Sequence, residues 1–144
     1  MWGYGVQNGQ YYRLLTVALV HGGWVHLICN MLAFFSIGTP LEIFYGRNKY
    51  IVLLFVSLLC GSLASFLFNP IQTVAVGASG MIFGLFGAFL VVGKTIGANV
   101  REIAIIIGLN FALGFILGGV DWRAHLGGLV GGLISAQLLL ARRR

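Results

Sequence analysis

The sequence predicts an all-α, polytopic transmembrane helix bundle, and three observations predict it. Charged residues make up only 8% of the 144, where a soluble domain carries roughly 25%. Hydrophobic residues make up 59% and gather into five stretches separated by Gly, Pro, Asn and basic residues. The 22 glycines, against two prolines, recur at helical spacing inside those stretches, as small residues do where membrane helices pack closely.

The first apolar segment covers about residues 25–43 and ends at Gly46, Arg47, Asn48 and Lys49. The second, about 50–68, stops at Asn69-Pro70. The third starts near Ser79 and ends near Gly93-Lys94, the fourth covers about 103–118, and the fifth runs from about 124 to 141 into Arg142, Arg143 and Arg144. About 20 residues of helix span the hydrocarbon, so the first, second and fifth are comfortable spans. The third is short, since a helix from Ser79 to Gly93 extends only ~22 Å at 1.5 Å per residue. Either it starts inside the membrane or the 69–78 stretch dips in to meet it. Irregular backbone at that depth must be buried by protein or adjoin a water-filled cavity, so a polar residue at the start of that helix is a site candidate. The chain reads as one membrane domain over 1–144. Residues 1–24 are the end of an outer loop, about 25–141 are five transmembrane helices, and 142–144 are a basic cytoplasmic tail.

Net charge is +6, but the basic residues sit at segment ends and in loops without interleaved aromatics, which excludes a nucleic-acid surface. With five crossings, Arg47, Lys49, Lys94, Arg101 and Arg142 to Arg144 share one side, and Arg13 and Arg123 the other. The positive-inside rule places the former side in the cytoplasm and the amino terminus outside. Residues 1–12 are polar and Gly-rich with no basic n-region, so no cleavable signal is expected. An outer start without a signal implies a preceding helix that this chain does not contain. Cys29 and Cys60 both fall inside apolar segments, as packing residues rather than a disulfide or a metal site.

Ionisable and polar residues in a span are costly and mark function by default. Three clusters qualify. His26 and Asn30, four apart, share one face at the outer end of the first segment, with His21 in the loop before it. Gly77-Ala78-Ser79-Gly80 stands where irregular chain becomes helix, so the N–H groups and hydroxyl there are not consumed by a preceding turn, and the positive end of the helix dipole points to it. His125 forms a stripe with Gly128 and Gly132, facing a second stripe of Gly80, Gly84 and Gly87. Taken singly, each has a structural explanation in interhelical hydrogen bonding or close packing. Together they place a serine, a base of near-neutral pKa and side-chain N–H donors at one outer depth. That is the set that nucleophilic acyl transfer needs. No His-Glu-x-x-His or comparable pattern supports a metal.

The same residues carry a resemblance. His21-x4-His26-x3-Asn30-Met31, Leu41-Glu42 then Gly46, Gly77-Ala78-Ser79-Gly80 with Gly84 and Gly87, and Ala124-His125-x2-Gly128-x3-Gly132 follow the order and spacing of the rhomboid family of intramembrane serine proteases, which the chain resembles across nearly its whole length. The resemblance implies Ser79 as nucleophile and His125 as general base of a dyad with no acidic third member. It implies His26, Asn30 and the Ser79 N–H as oxyanion donors, and His21 as an accessory loop histidine. Gly80, Gly84, Gly128 and Gly132 become helix-packing residues, and Arg13 and Glu42 structural polar ones. Asp121, four residues before His125, reads as a helix cap rather than a triad member. Two positions depart from the family pattern. Phe83 stands where a tyrosine often stacks on the catalytic histidine, and Tyr12-Arg13 replaces a Trp-Arg pair. The family's common core has six helices, so the first is expected to lie outside this chain.

The expected activity is peptide-bond hydrolysis through an acyl-enzyme on Ser79, with single-span membrane proteins as substrates, cut within or beside the transmembrane segment. No metal, cofactor or nucleic acid is expected. The expected setting is a prokaryotic cytoplasmic membrane with the site facing outward. The alternative is a catalytically silent relative that binds membrane clients. A transporter or channel is disfavoured, because the ionisable groups cluster on one side rather than crossing the full thickness.

Overall fold

The structure, a computed structural model, describes residues 2–117 and 119–141. Among these the helices are α1 (Trp2–Gln7), α2 (Arg13–Thr16), α3 (Trp24–Tyr45), α4 (Arg47–Phe68), α5 (Ser79–Val92), α6 (Val100–Leu117) and α7 (Trp122–Ala141), with a 3-10 turn Val17–Leu19 after α2. The described residues contain no strand, and the all-helical bundle expected from the sequence is what folds. The expected basic tail 142–144 lies outside the described residues.

Polar residues extend two helices beyond their apolar segments. α4 begins at Arg47 and α6 at Val100, because first-turn N–H groups have no intrahelical partner and tolerate polar side chains. At α6 Asn99 caps the helix: its Oδ1 accepts from the Arg101 and Glu102 N–H groups at 3.2 and 3.4 Å, and its Nδ2 donates to Glu102 Oε1 at 2.7 Å. α3 and α4 are joined by Gly46 alone. Its φ of +78° ends one helix, its N–H donates to Glu42 O, and its carbonyl accepts from Tyr50 N–H to start the next.

α5 is the hub. It is only 14 residues long, and Ile82 to Phe89 are buried in succession, so it is enclosed on every side. α3, α4, α6 and α7 pack around it. The distribution is inside-out relative to a soluble protein. Trp24 and Ile43 are each 80% exposed on the outer faces, whereas Ser57, Ser62, Ser65 and Ser135 are buried. Among the described residues α3, α4 and α7 are long and apolar enough to cross a membrane, with mean hydropathies of 1.6, 2.5 and 1.5. The cysteines are apart and unbonded.

Residues 2–19, within the 1–24 stretch expected as the end of an outer loop, fold into α1, α2 and the 3-10 turn. Trp2, Val6 and Val17 make a second small core with Ala75, backed by Leu14, Leu58 and Phe66, and Trp2 Nε1–H donates to the Arg13 carbonyl at 3.2 Å. Helices of six and four residues are not stable alone. They persist here because they lean on the 70–77 strap that leads to Ser79.

Candidate active site

The strap leaves α4 at Asn69-Pro70 and runs without regular structure to Ala78. At Gly77 the N–H donates to Val17 O at 3.1 Å, tying the strap to the amino-terminal unit, and φ is +106°. The chain then turns into α5 with Ser79 as first residue. The Ser79 N–H therefore has no helical carbonyl four residues earlier to bond.

His125 reaches Ser79 because α5 and α7 touch backbone to backbone. A Cβ at Gly128 would overlap the Gly80 carbonyl, and one at Gly132 the Gly84 carbonyl. Gly84 is equally closed by Ser57 of α4, and a Cβ at Gly61 would lie 3.3 Å from Gly80 Cα, so three helices meet below the serine. The outcome is a Ser79 Oγ to His125 Nε2 distance of 2.9 Å. His125 is 6% exposed. Its ring is stacked on Phe83 at 4.0 Å and 8° and meets Phe111 edge-on at 6.4 Å. A ring carrying its proton on Nδ1 offers Nε2 as acceptor to the serine hydroxyl.

His26 and Asn30 lie one turn apart on α3. His26 Nδ1 accepts the Gly22 N–H at 3.4 Å, which in the neutral ring leaves the proton on Nε2. That nitrogen faces Gly77, where a Cβ would stand 2.9 Å from it and 3.6 Å from Asn30 Nδ2. Only glycine fits both this space and this φ. Asn30 Nδ2 is buried and has no partner among the described residues. A buried amide without a partner needs an explanation, and a transient anionic ligand supplies one. His26, Asn30, Ser79, Phe83 and His125 all line one cavity of about 690 Å³. His21 sits edge-on to His26 at 5.3 Å, with its Nε2 buried and without a partner among the described residues.

Asp121 caps α7. Its carboxylate accepts from the Ala124 N–H at 3.1 Å, from Asn69 Nδ2 at 2.8 Å and from the Ser65 hydroxyl, while His125 Nδ1 has no partner among the described residues. Arg123 donates to Asn69 Oδ1 at 2.9 Å and lies over the Trp122 ring. This network of Ser65, Asn69, Asp121 and Arg123 locks the top of α7 to the end of α4 and so sets the height of His125. Sequence reasoning found only the cap. Asn69 reads in the sequence only as the end of an apolar segment, and no local pattern announces partners more than fifty residues away. Arg13, expected as structural, bonds Gln10 through its side chain. Glu42 is exposed near the opposite end of the bundle, where Lys49 Nζ donates to Leu139 O at 3.3 Å and Tyr45 Oη to Ala136 O at 3.1 Å. No group of three His, Cys, Asp or Glu side chains suited to a metal occurs among the described residues.

Comparison with known proteins gives one family. The Rhomboid domain matches residues 8–142. Rhomboid protease GluP of Bacillus subtilis (strain 168) is 39% identical over 93% of this chain, which spans 27% of that protein. Putative rhomboid protease YdcA of the same bacterium is 34% identical over 96% of the chain and 72% of its own length. RHOMBOID-like protein 7 of Arabidopsis thaliana is 38% identical over 96% of the chain and 46% of its own length.

Proposed function

The chain belongs to the rhomboid family and is an integral membrane protein, and from that premise we propose that it is an active intramembrane serine protease. The observation that carries this reading is the 2.9 Å approach of Ser79 Oγ to His125 Nε2 on the wall of a cavity that also holds His26 and Asn30.

His125 Nε2 takes the hydroxyl proton as Ser79 Oγ attacks a substrate carbonyl carbon. The carbonyl oxygen becomes an oxyanion stabilised by His26 Nε2–H, Asn30 Nδ2–H and the Ser79 N–H. Such preorganised donors contribute about 3–4 kcal/mol each in water-excluded sites. The imidazolium returns its proton to the leaving nitrogen as the C–N bond breaks. Water activated by the same ring then releases the acyl group. Phe83 holds the ring plane through these exchanges without competing for either ring nitrogen.

The substrates are transmembrane proteins cut within or next to their spans. Helix-weakening residues favour cleavage, since an intact helix shields its carbonyls. Arg47, Lys49, Lys94 and Arg101 gather at the ends of the helices opposite to Ser79. By the positive-inside rule this supports a prokaryotic cytoplasmic membrane with the site on the outer side. The test is cleavage of a single-span protein bearing a Gly-Ala-rich outer half, co-reconstituted in liposomes. The parent should cut it, and Ser79→Ala should slow cutting by at least about a thousandfold. Equal cutting by the two would overturn the assignment.

A further inference from the structure

One side chain of the cavity has no part in that chemistry. Asn110 lies within α6, ten residues from its first residue, amid Ile105, Ile106, Leu109 and Leu113, each 40–57% exposed. An uncompensated amide in hydrocarbon costs roughly 2–7 kcal/mol, so its placement needs a cause. Helix packing is not that cause. The inward stripe of α6 is Ile103, Ile107 and Phe111, and Phe111 is the residue that meets the His125 ring. Asn110 lies about 60° round the helix from Ile107, is exposed rather than packed, and lines the cavity with Ile106 and Leu113. Across that cavity stands α3, with His26 and Asn30, and the two helices face each other without packing closely.

The amide is half satisfied. Nδ2 donates to Ile106 O at 2.9 Å, while Oδ1 accepts nothing from the described residues. One N–H and the carbonyl oxygen remain, the same donor and acceptor that a peptide bond presents. A serine nucleophile reaches a substrate carbonyl only where the substrate helix has opened. Every opened residue exposes an N–H and a C=O that cost several kcal/mol in lipid unless bonded.

We infer that Asn110 is a substrate-positioning residue, whose side-chain amide pairs with one backbone peptide group of the unwound substrate segment flanking the scissile bond. This rests on the protease reading above. The pairing is made in both the bound and the reacting substrate, so it acts on KM rather than on kcat. It leaves the chemistry at Ser79 unaffected.

The test uses a fluorogenic single-span peptide in liposomes, beside a small fluorophosphonate that modifies Ser79 without filling the cavity. In Asn110→Leu the KM for the peptide should rise about fivefold, the effect of one neutral hydrogen bond, while the phosphonylation rate stays within twofold of the parent. Asn110→Gln, which keeps the amide, should recover most of the loss. Replacing one backbone amide of the peptide by an ester should reproduce the loss in the parent and add nothing in Asn110→Leu. An unchanged KM in Asn110→Leu would overturn the inference while leaving the protease reading intact. Slowed phosphonylation would also overturn it, by showing that Asn110 acts on the dyad. A parent that is phosphonylated yet cuts no such peptide would refute the substrate class and this inference with it. A parent that neither labels nor cuts would remove both readings.

Discussion

The α5–α7 seam and the α6 wall are built from the same residue types and behave as opposites. In the seam, a Cβ at Gly128 or Gly132 would collide with the Gly80 or Gly84 carbonyl, one at Gly84 with Ser57 and the Gly128 carbonyl, and one at Gly80 would press on the Ala124 carbonyl at 3.3 Å. Of the two glycines of α6, Gly114 would bring a Cβ to 3.3 Å from the Val120 side chain, whereas nothing lies within 4 Å of where a Cβ at Gly108 would be. The seam fixes a 2.9 Å distance between groups 46 residues apart. The wall touches the hub through a few apolar side chains and leaves beside it the cavity that holds the polar groups of the site. Here the short contact between two reactive side chains rests on backbone contact beneath it, as small residues allow between membrane helices. A surface that must admit a large substrate needs the reverse.

That contrast can be broken at several points. The largest effect should come from Gly132→Val, whose branched side chain has to displace the Gly84 carbonyl. Overpacking of this kind costs about 3 kcal/mol, which should lower the melting temperature in detergent by about 10 °C and abolish labelling of Ser79. Gly77→Ala should come next. It forces a φ of +106° on a residue with a Cβ, a strain of about 1–3 kcal/mol, and drives that Cβ into the His26 ring. Phosphonylation of Ser79 should slow by at least about tenfold with a smaller loss of melting temperature. The smallest effect should be Gly108→Ala on α6. With free space around it, it should be neutral or add up to about 1 kcal/mol through helix propensity, with labelling unchanged. If Gly108→Ala were as damaging as Gly132→Val, the distinction between seam and wall would fail.

Most of the fold was legible in the sequence, because apolar length and glycine spacing are local properties. The shortness of α5 and the breaks at Gly46 and Asn69-Pro70 could be read directly. The closeness of Ser79 to His125 was also foreseeable, since two glycine stripes at i, i+3 or i+4, and i+7 leave two helices little choice of partner face. Three features were not legible. The helices within residues 2–19 depend on Ala75 and Phe66 for their stability, so their own pattern is too short to announce them. The Ser65–Asn69–Asp121–Arg123 network joins the end of one helix to the start of another, and each member looks ordinary alone. Asn110 did carry a signal, as a lone amide in an apolar span, but only the cavity shows which way it faces.

The central claim is that Ser79 is activated by His125, and one measurement bears on it most directly. The protein, in detergent and in liposomes, is treated with a fluorophosphonate serine probe beside Ser79→Ala and His125→Ala, and the adduct is located by mass spectrometry. The account predicts an adduct on Ser79 in the parent, none in Ser79→Ala, and a rate lower by at least about a hundredfold in a folded His125→Ala. An unlabelled parent that retains its helical fold, or a His125→Ala variant labelled as fast as the parent, would contradict it.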